Sequence, residues 1–189
     1  MARLEALCAA KHTFAAAEMQ QQVFYSALDQ KLHSHPLTGN KNNTTEILEE
    51  VQHEYYGLPF VPNTVNVFAS TCWVFQRWYL FKKTNTYLQA WQHRFSHIVG
   101  YGAKYYSYLL SRGVAAWIWH QYFQKNPFSR ESGEQFRRGF LAHGGSKPAH
   151  EMVTSFLGKD VSPSTLTHSL ICELDAKHDT LMNHLHKSS

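Results

Sequence analysis

Tyr101, Tyr105 and Tyr108 fall at i, i+4 and i+7, a spacing that sets three phenols on one face of a helix. His97 stands just upstream, and Gly100 and Gly102 lie between it and Tyr105, where they let the backbone bend or approach a ligand closely. A phenol, with an ordinary pKa of about 10, keeps its proton at neutral pH and can donate it in a hydrogen bond. A row of such donors beside an imidazole suits one task, holding the negative charge that develops on a carbonyl oxygen under attack. The same spacing describes an aromatic stripe packed into a core, and the residues by themselves leave both readings open.

Other chemistry-bearing patterns fall short. A zinc protease helix needs His-Glu-x-x-His, because i and i+4 place two imidazoles on one face with the glutamate beside the metal-bound water. His53-Glu54 and His150-Glu151 both lack the second histidine, since Gly57 and Thr154 stand where it belongs. His93 and His97 have the i, i+4 spacing but no adjacent acid, which favours one functional and one surface histidine over a metal site. His178, His184 and His186, with Cys172 nearby, form a weaker cluster still. No metal ligand is therefore assigned within the chain. There is no phosphate-binding loop, dinucleotide fingerprint or Gly-x-Ser-x-Gly elbow.

The composition narrows the class. A hydrophobic share of 43% can build a core, and the +4 formal charge comes without a long basic run, so nucleic acid is not expected as a partner. Three widely spaced cysteines, Cys8, Cys72 and Cys172, fit a reducing compartment better than a disulfide framework. The residues from Met1 to Leu7 carry an early acid and read as neither a signal nor a transit peptide.

The elements that must position these residues are helical throughout. Leu4 to His33 holds no glycine or proline and reads as one long helix or two joined by a tight corner. His35-Pro36-Leu37-Thr38-Gly39-Asn40 is a loop. Asn43-Thr44-Thr45-Glu46 has capping-box spacing and opens a helix to about Tyr56. Ala103 to about Gln124 is the strongest helix, stopped by Asn126-Pro127, and others are expected over Ser132–Ala142, Pro148–Leu157 and Ser162–Leu174. Gly144-Gly145 and Gly158 sit where C-terminal caps belong. No segment alternates convincingly as a strand, so the fold class is all-α.

Arg94-Phe95-Ser96-His97 through Tyr108, continuing as Leu109-Leu110-Ser111-Arg112, resembles the C-terminal catalytic region of the thimet oligopeptidase family of zinc metallopeptidases. Flanking segments resemble it in the same order. They are Met19 to Asp29, Tyr56 to Thr64, Gly133 to Arg138, Leu141 to Ser146 and Phe156 to Asp160. The glycine loop His97-Ile98-Val99-Gly100-Tyr101 is one residue shorter than in thimet oligopeptidase itself. That is the form of the branch that trims imported precursor proteins in the mitochondrial matrix.

The resemblance implies roles. Tyr105 and Tyr108 match the tyrosines that donate to the tetrahedral intermediate. His97 matches the histidine that assists them, and Tyr101, flanked by Gly100 and Gly102, matches the loop tyrosine that approaches bound peptide. It also implies a zinc cofactor, held by a His-Glu-x-x-His helix and a downstream glutamate that would precede the region matching Leu4. The chain is then expected to be the C-terminal part of the catalytic domain of a several-fold longer peptidase. It would supply an oxyanion and substrate-binding wall, and alone it would be inactive. The expected partner is a peptide or precursor-protein substrate.

Residues 65–89 interrupt the likeness, because Thr64 would join Ala90 as a continuous family-like stretch. The block holds Trp73, Trp78, Arg77, Lys82 and Lys83 and no acid. It reads as an insertion or a retained intron, since valine codons begin with GT and one glutamine codon ends in AG. A basic membrane-surface helix is the other reading. Stable membrane insertion is excluded by its length and by Arg77. Two other functions stay open: a catalytically inactive helical interaction module, and an independent helical binder of membrane or nucleic acid that uses this block.

Overall fold

The helix expected from Leu4 to His33 divides at a corner. A computed structural model describes residues 2–34, 44–57, 60 and 91–188. In it α1 (Ala2–Ala10) and α2 (Ala15–Ser34) are joined by a turn in which the Thr13 hydroxyl donates to the Ala10 carbonyl at 2.9 Å. There follow α3 (Thr44–Tyr55), a 3-10 turn (Trp91–Arg94), α4 (Ser96–Gly100) and α5 (Ser107–Ile118), which runs into a π turn (Trp119–Phe123). Next come α6 (Arg130–Gly139), a 3-10 turn (Leu141–His143), α7 (Ala149–Leu157) and α8 (Pro163–Ser188). The described residues contain no strand, and the fold class is all-α. None of their helices is long and apolar enough to cross a membrane. The 65–89 block and the His35–Asn40 loop lie outside the described residues.

Local chemistry accounts for most of the ends. The Ser129 side chain accepts from the Ser132 amide at 3.2 Å, which starts α6 two residues earlier than expected. Gly158, at φ 67°, ends α7 in the left-handed conformation that glycine adopts without strain. Two expectations need correction. The helix expected from Ala103 begins only at Ser107, and the one expected to end at Leu174 continues to Ser188. The second extension has a simple cause. No breaker follows Leu174, and Lys177 pairs with Glu173 across one turn.

Two compact units divide the chain. Met1–Met19 with Ser107–Ser189 form one, built around Val114, Ile118, Val153 and Leu157 and ringed by Tyr122, Phe136, Phe140 and Phe156. Within it α5 lies close against α8 at Gly113, where a Cβ would stand 3.3 Å from the Leu166 side chain and carbonyl oxygen. The pairing is pinned by Arg112, whose Nε and Nη2 each donate to a Glu173 carboxylate oxygen at 3.1 Å. Gln20–Tyr106 form the other unit, whose core is Phe24, Tyr25, Leu28, Leu48, Val51, Ile98 and Tyr105.

The Glu173 cluster predicts a pH dependence. Burial works to raise this carboxyl's pKa, but hydrogen bonds from Arg112 and Lys177 outweigh it and hold the group below its ordinary value near 4.5. A depressed carboxylate stabilises the fold fully above its unfolded pKa, and that contribution fades as pH falls through the folded value. Glu173→Gln should therefore cost about 1 kcal/mol at pH 7, a figure kept low by partial exposure. In urea titrations the gap to wild type should close below about pH 4. A gap unchanged down to pH 3 would show that the pair contributes through packing alone.

Candidate active site

The site is built on the buried face of α2. Phe24, Tyr25 and Leu28 give that face its apolar character, and Asp29 lies on it with 0% exposure. A carboxylate so placed must find donors. Asp29 takes them from the segment before α5: the Ala103 amide donates to Oδ1 at 3.0 Å and the Tyr105 amide to Oδ2 at 2.9 Å. His33 Nδ1 stands 3.0 Å from the same Oδ1. The Gln30 side chain donates to the Ala103 carbonyl at 3.0 Å. Ala103 itself is left-handed, at φ 60°, a conformation costly for a residue with a Cβ.

These bonds explain why α5 starts late. They hold the segment in a turn through the left-handed Ala103, whose φ of 60° no right-handed helix can contain. Tyr101 and Tyr105 consequently precede the helix, and the three phenols do not share one helical face.

His97, Tyr101 and Tyr105 nevertheless come together. The His97 ring stacks on Tyr101 with centroids 6.1 Å apart and meets Tyr105 edge-on at 5.9 Å. Phe95 and Tyr25 complete an aromatic floor, with centroids 5.5 and 5.7 Å from Tyr105. Burial, with the neighbouring Tyr105 and Tyr56, pushes the Tyr25 phenol well above its ordinary pKa, which keeps the floor neutral. Tyr105 is 7% exposed and its phenol donates to Gln22 Oε1 at 3.2 Å, whereas Tyr101 is 51% exposed. Tyr108 belongs to the other unit, in the first turn of α5, and is 42% exposed.

The two glycines differ in kind. A Cβ at Gly102 would fall 2.7 Å from His33 Nε2, so close approach to α2 requires glycine there unless the ring moves. A Cβ at Gly100 would meet nothing within 4 Å, which leaves that end of the loop open.

The histidine pairs carry no metal geometry. His93 lies in the 3-10 turn and His97 in α4, so their spacing is not that of a single helix. The His93 Nε2 stands 2.8 Å from the Thr44 hydroxyl. Cys172 lies 3.6 Å from His168, four residues back along α8, and His178 3.8 Å from Asp179. Among the described residues no three His, Cys, Asp or Glu side chains are placed to hold a metal ion together, so these residues alone do not fit a zinc site.

Sequence reasoning singled out neither Asp29 nor its helpers Gln22, Gln30 and His33. One signal was present. Asp29 follows Tyr25 by four residues and Leu28 by one, which places a carboxylate on the apolar face.

Relatives carry the same stretch of chain. The model of Peptidase family M3 matches residues 1–170. Mitochondrial intermediate peptidase of Homo sapiens is 44% identical over 177 residues, covering 93% of this chain and 21% of that protein. The Rattus norvegicus protein of the same name is 44% identical over 180 residues, covering 95% and 21%. Its Arabidopsis thaliana counterpart is 31% identical over 159 residues, covering 84% and 19%. The chain thus spans about a fifth of the length of these curated relatives. No solved structure matches it. With a family model matched across most of its length, the chain belongs to Peptidase family M3.

Proposed function

We propose that this chain is the oxyanion and substrate-binding wall of a zinc metalloendopeptidase of the mitochondrial intermediate peptidase type. Such an enzyme would remove short N-terminal peptides from imported precursor proteins in the mitochondrial matrix. The observation that carries this reading is the His97, Tyr101 and Tyr105 cluster in a chain 44% identical to that peptidase.

Each side chain has a part suited to its setting. The Tyr108 phenol, exposed to solvent, donates to the oxygen of the attacked carbonyl. Tyr105 is the second donor and trades its Gln22 partner for that oxygen. His97, in ring contact with both loop tyrosines, orients them as charge develops. Tyr101, exposed and flanked by Gly100 and Gly102, lies along the peptide backbone. The zinc that the family resemblance implies would be held by residues elsewhere in the polypeptide. The wall's own work is binding, orientation and proton donation.

Two preparations test this. The 189-residue chain should bind no stoichiometric zinc and cleave no quenched-fluorescence peptide. An intact peptidase carrying this chain should bind one zinc and cleave, with turnover abolished by a chelator. Zinc-dependent cleavage by the chain alone would sink the division of labour and revive His93 and His97 as ligands. Peptide binding without cleavage in the intact protein would instead establish an inactive interaction module.

A further inference from the structure

We infer that Asp29 is the positioning residue of the active site: its buried carboxylate clamps the Ala103–Tyr105 segment and so fixes the Tyr105 phenol against the His97 ring. The inference rests on the proposed peptidase reading for its catalytic meaning, and on geometry alone for the clamp.

The clamp grips one short segment from several sides. Both carboxylate oxygens of Asp29 accept backbone amides, at 3.0 Å from Ala103 and 2.9 Å from Tyr105. Gln30 donates to the carbonyl of the same Ala103 at 3.0 Å. Ala103 is therefore held on both its amide and its carbonyl side, in a left-handed conformation that is costly for an alanine. Gln22, on α2 as well, accepts the Tyr105 hydroxyl at 3.2 Å. His33 closes the cradle over Gly102, with its Nδ1 2.8 Å from the Asp29 backbone carbonyl oxygen and 3.0 Å from Oδ1. Each carboxylate oxygen thus has a backbone N–H donor, which offsets the cost of burying the charge.

The consequence is a loop with one fixed end and one open end. From Gly102 to Tyr105 it is tied to α2, while Gly100 has open space and Val99 is 84% exposed. Any closure of Tyr101 onto a peptide then pivots near Gly102 and leaves Tyr105 in place. Such preorganisation is what a transition-state donor needs, because a small misplacement costs rate rather than substrate affinity.

Hydrogen exchange read by mass spectrometry on the 189-residue chain tests the clamp directly. An asparagine at position 29 keeps one acceptor oxygen and turns an N–H group toward the second amide. Asp29→Asn should speed exchange in the 101–106 segment by about 10- to 100-fold, with α3 and α5 to α8 unchanged. Gln30→Ala alters an exposed side chain and should fold normally, with a local acceleration of about 2- to 10-fold. Unchanged exchange at 101–106 in both variants would overturn the clamp. So would acceleration spread evenly over the chain in both, which would make the bonds a general structural support. In an intact peptidase carrying the chain, Asp29→Asn should lower kcat about tenfold or more and leave KM within about twofold. A rise in KM with kcat unchanged would overturn the positioning role. A wild-type enzyme that cleaves nothing would refute the peptidase reading and leave the exchange result standing.

Discussion

Tyr108→Phe, in an intact peptidase carrying this chain, is expected to lower kcat by about 10²–10³ while changing KM little. That corresponds to about 2.7–4 kcal/mol of lost transition-state stabilisation, the usual effect of removing one oxyanion donor. The reasoning rests on where charge develops. A ground-state carbonyl makes weak use of a phenol, and the tetrahedral oxyanion makes strong use of it, so the loss falls on kcat. The control is built into the sequence. Tyr106 is 48% exposed against 42% for Tyr108, and Tyr106→Phe removes the same atom two residues away. It should cost less than about threefold in rate, as expected for a surface hydroxyl without a catalytic part. Steady-state kinetics on a quenched-fluorescence peptide would measure both. Equal losses at the two positions would mean that the phenols are packing, and the oxyanion assignment would fail.

What the sequence made legible follows from the range of the interactions involved. The corner between α1 and α2 and the glycine at the end of α7 depend on neighbours in the chain, and both could be anticipated. The start of α5 depends on Asp29, more than seventy residues before Ala103 and Tyr105. Local propensity favours helix from Ala103, and a buried carboxylate overrides it. The same bond decided how far the candidate site could be foreseen. His97, Tyr101 and Tyr105 were expected to work together and do lie together, but through a turn rather than a helical stripe. Tyr108 was grouped with them by a helical period that stops short of Tyr105. Gly102 was expected to permit a close approach, and the group it admits is His33, on α2.

Leu28→Ala should damage the fold strongly without touching any polar group. Leu28 has no exposed surface and shares a core with Phe24, Tyr25, Leu48, Val51, Ile98 and Tyr105. Truncation to alanine removes the transfer free energy of the lost carbons and leaves a cavity that aromatic neighbours, held ring against ring, fill poorly. Together these cost about 2–5 kcal/mol, against a total stability of about 5–15 kcal/mol for a typical domain. Leu110→Ala supplies the reference, since that side chain is 44% exposed and its loss should stay within about 0.5 kcal/mol. Urea midpoints with an unchanged slope would report the difference as stability. The consequence reaches the site because Leu28 immediately precedes Asp29 on α2 and packs in the same cluster as Tyr105. An α2 that shifts to fill the cavity moves the carboxylate that binds Ala103 and Tyr105. Leu28→Ala should therefore accelerate hydrogen exchange at 101–106 as well as lower the urea midpoint. A midpoint shift with no change at 101–106 would show that α2 holds the loop independently of its own packing.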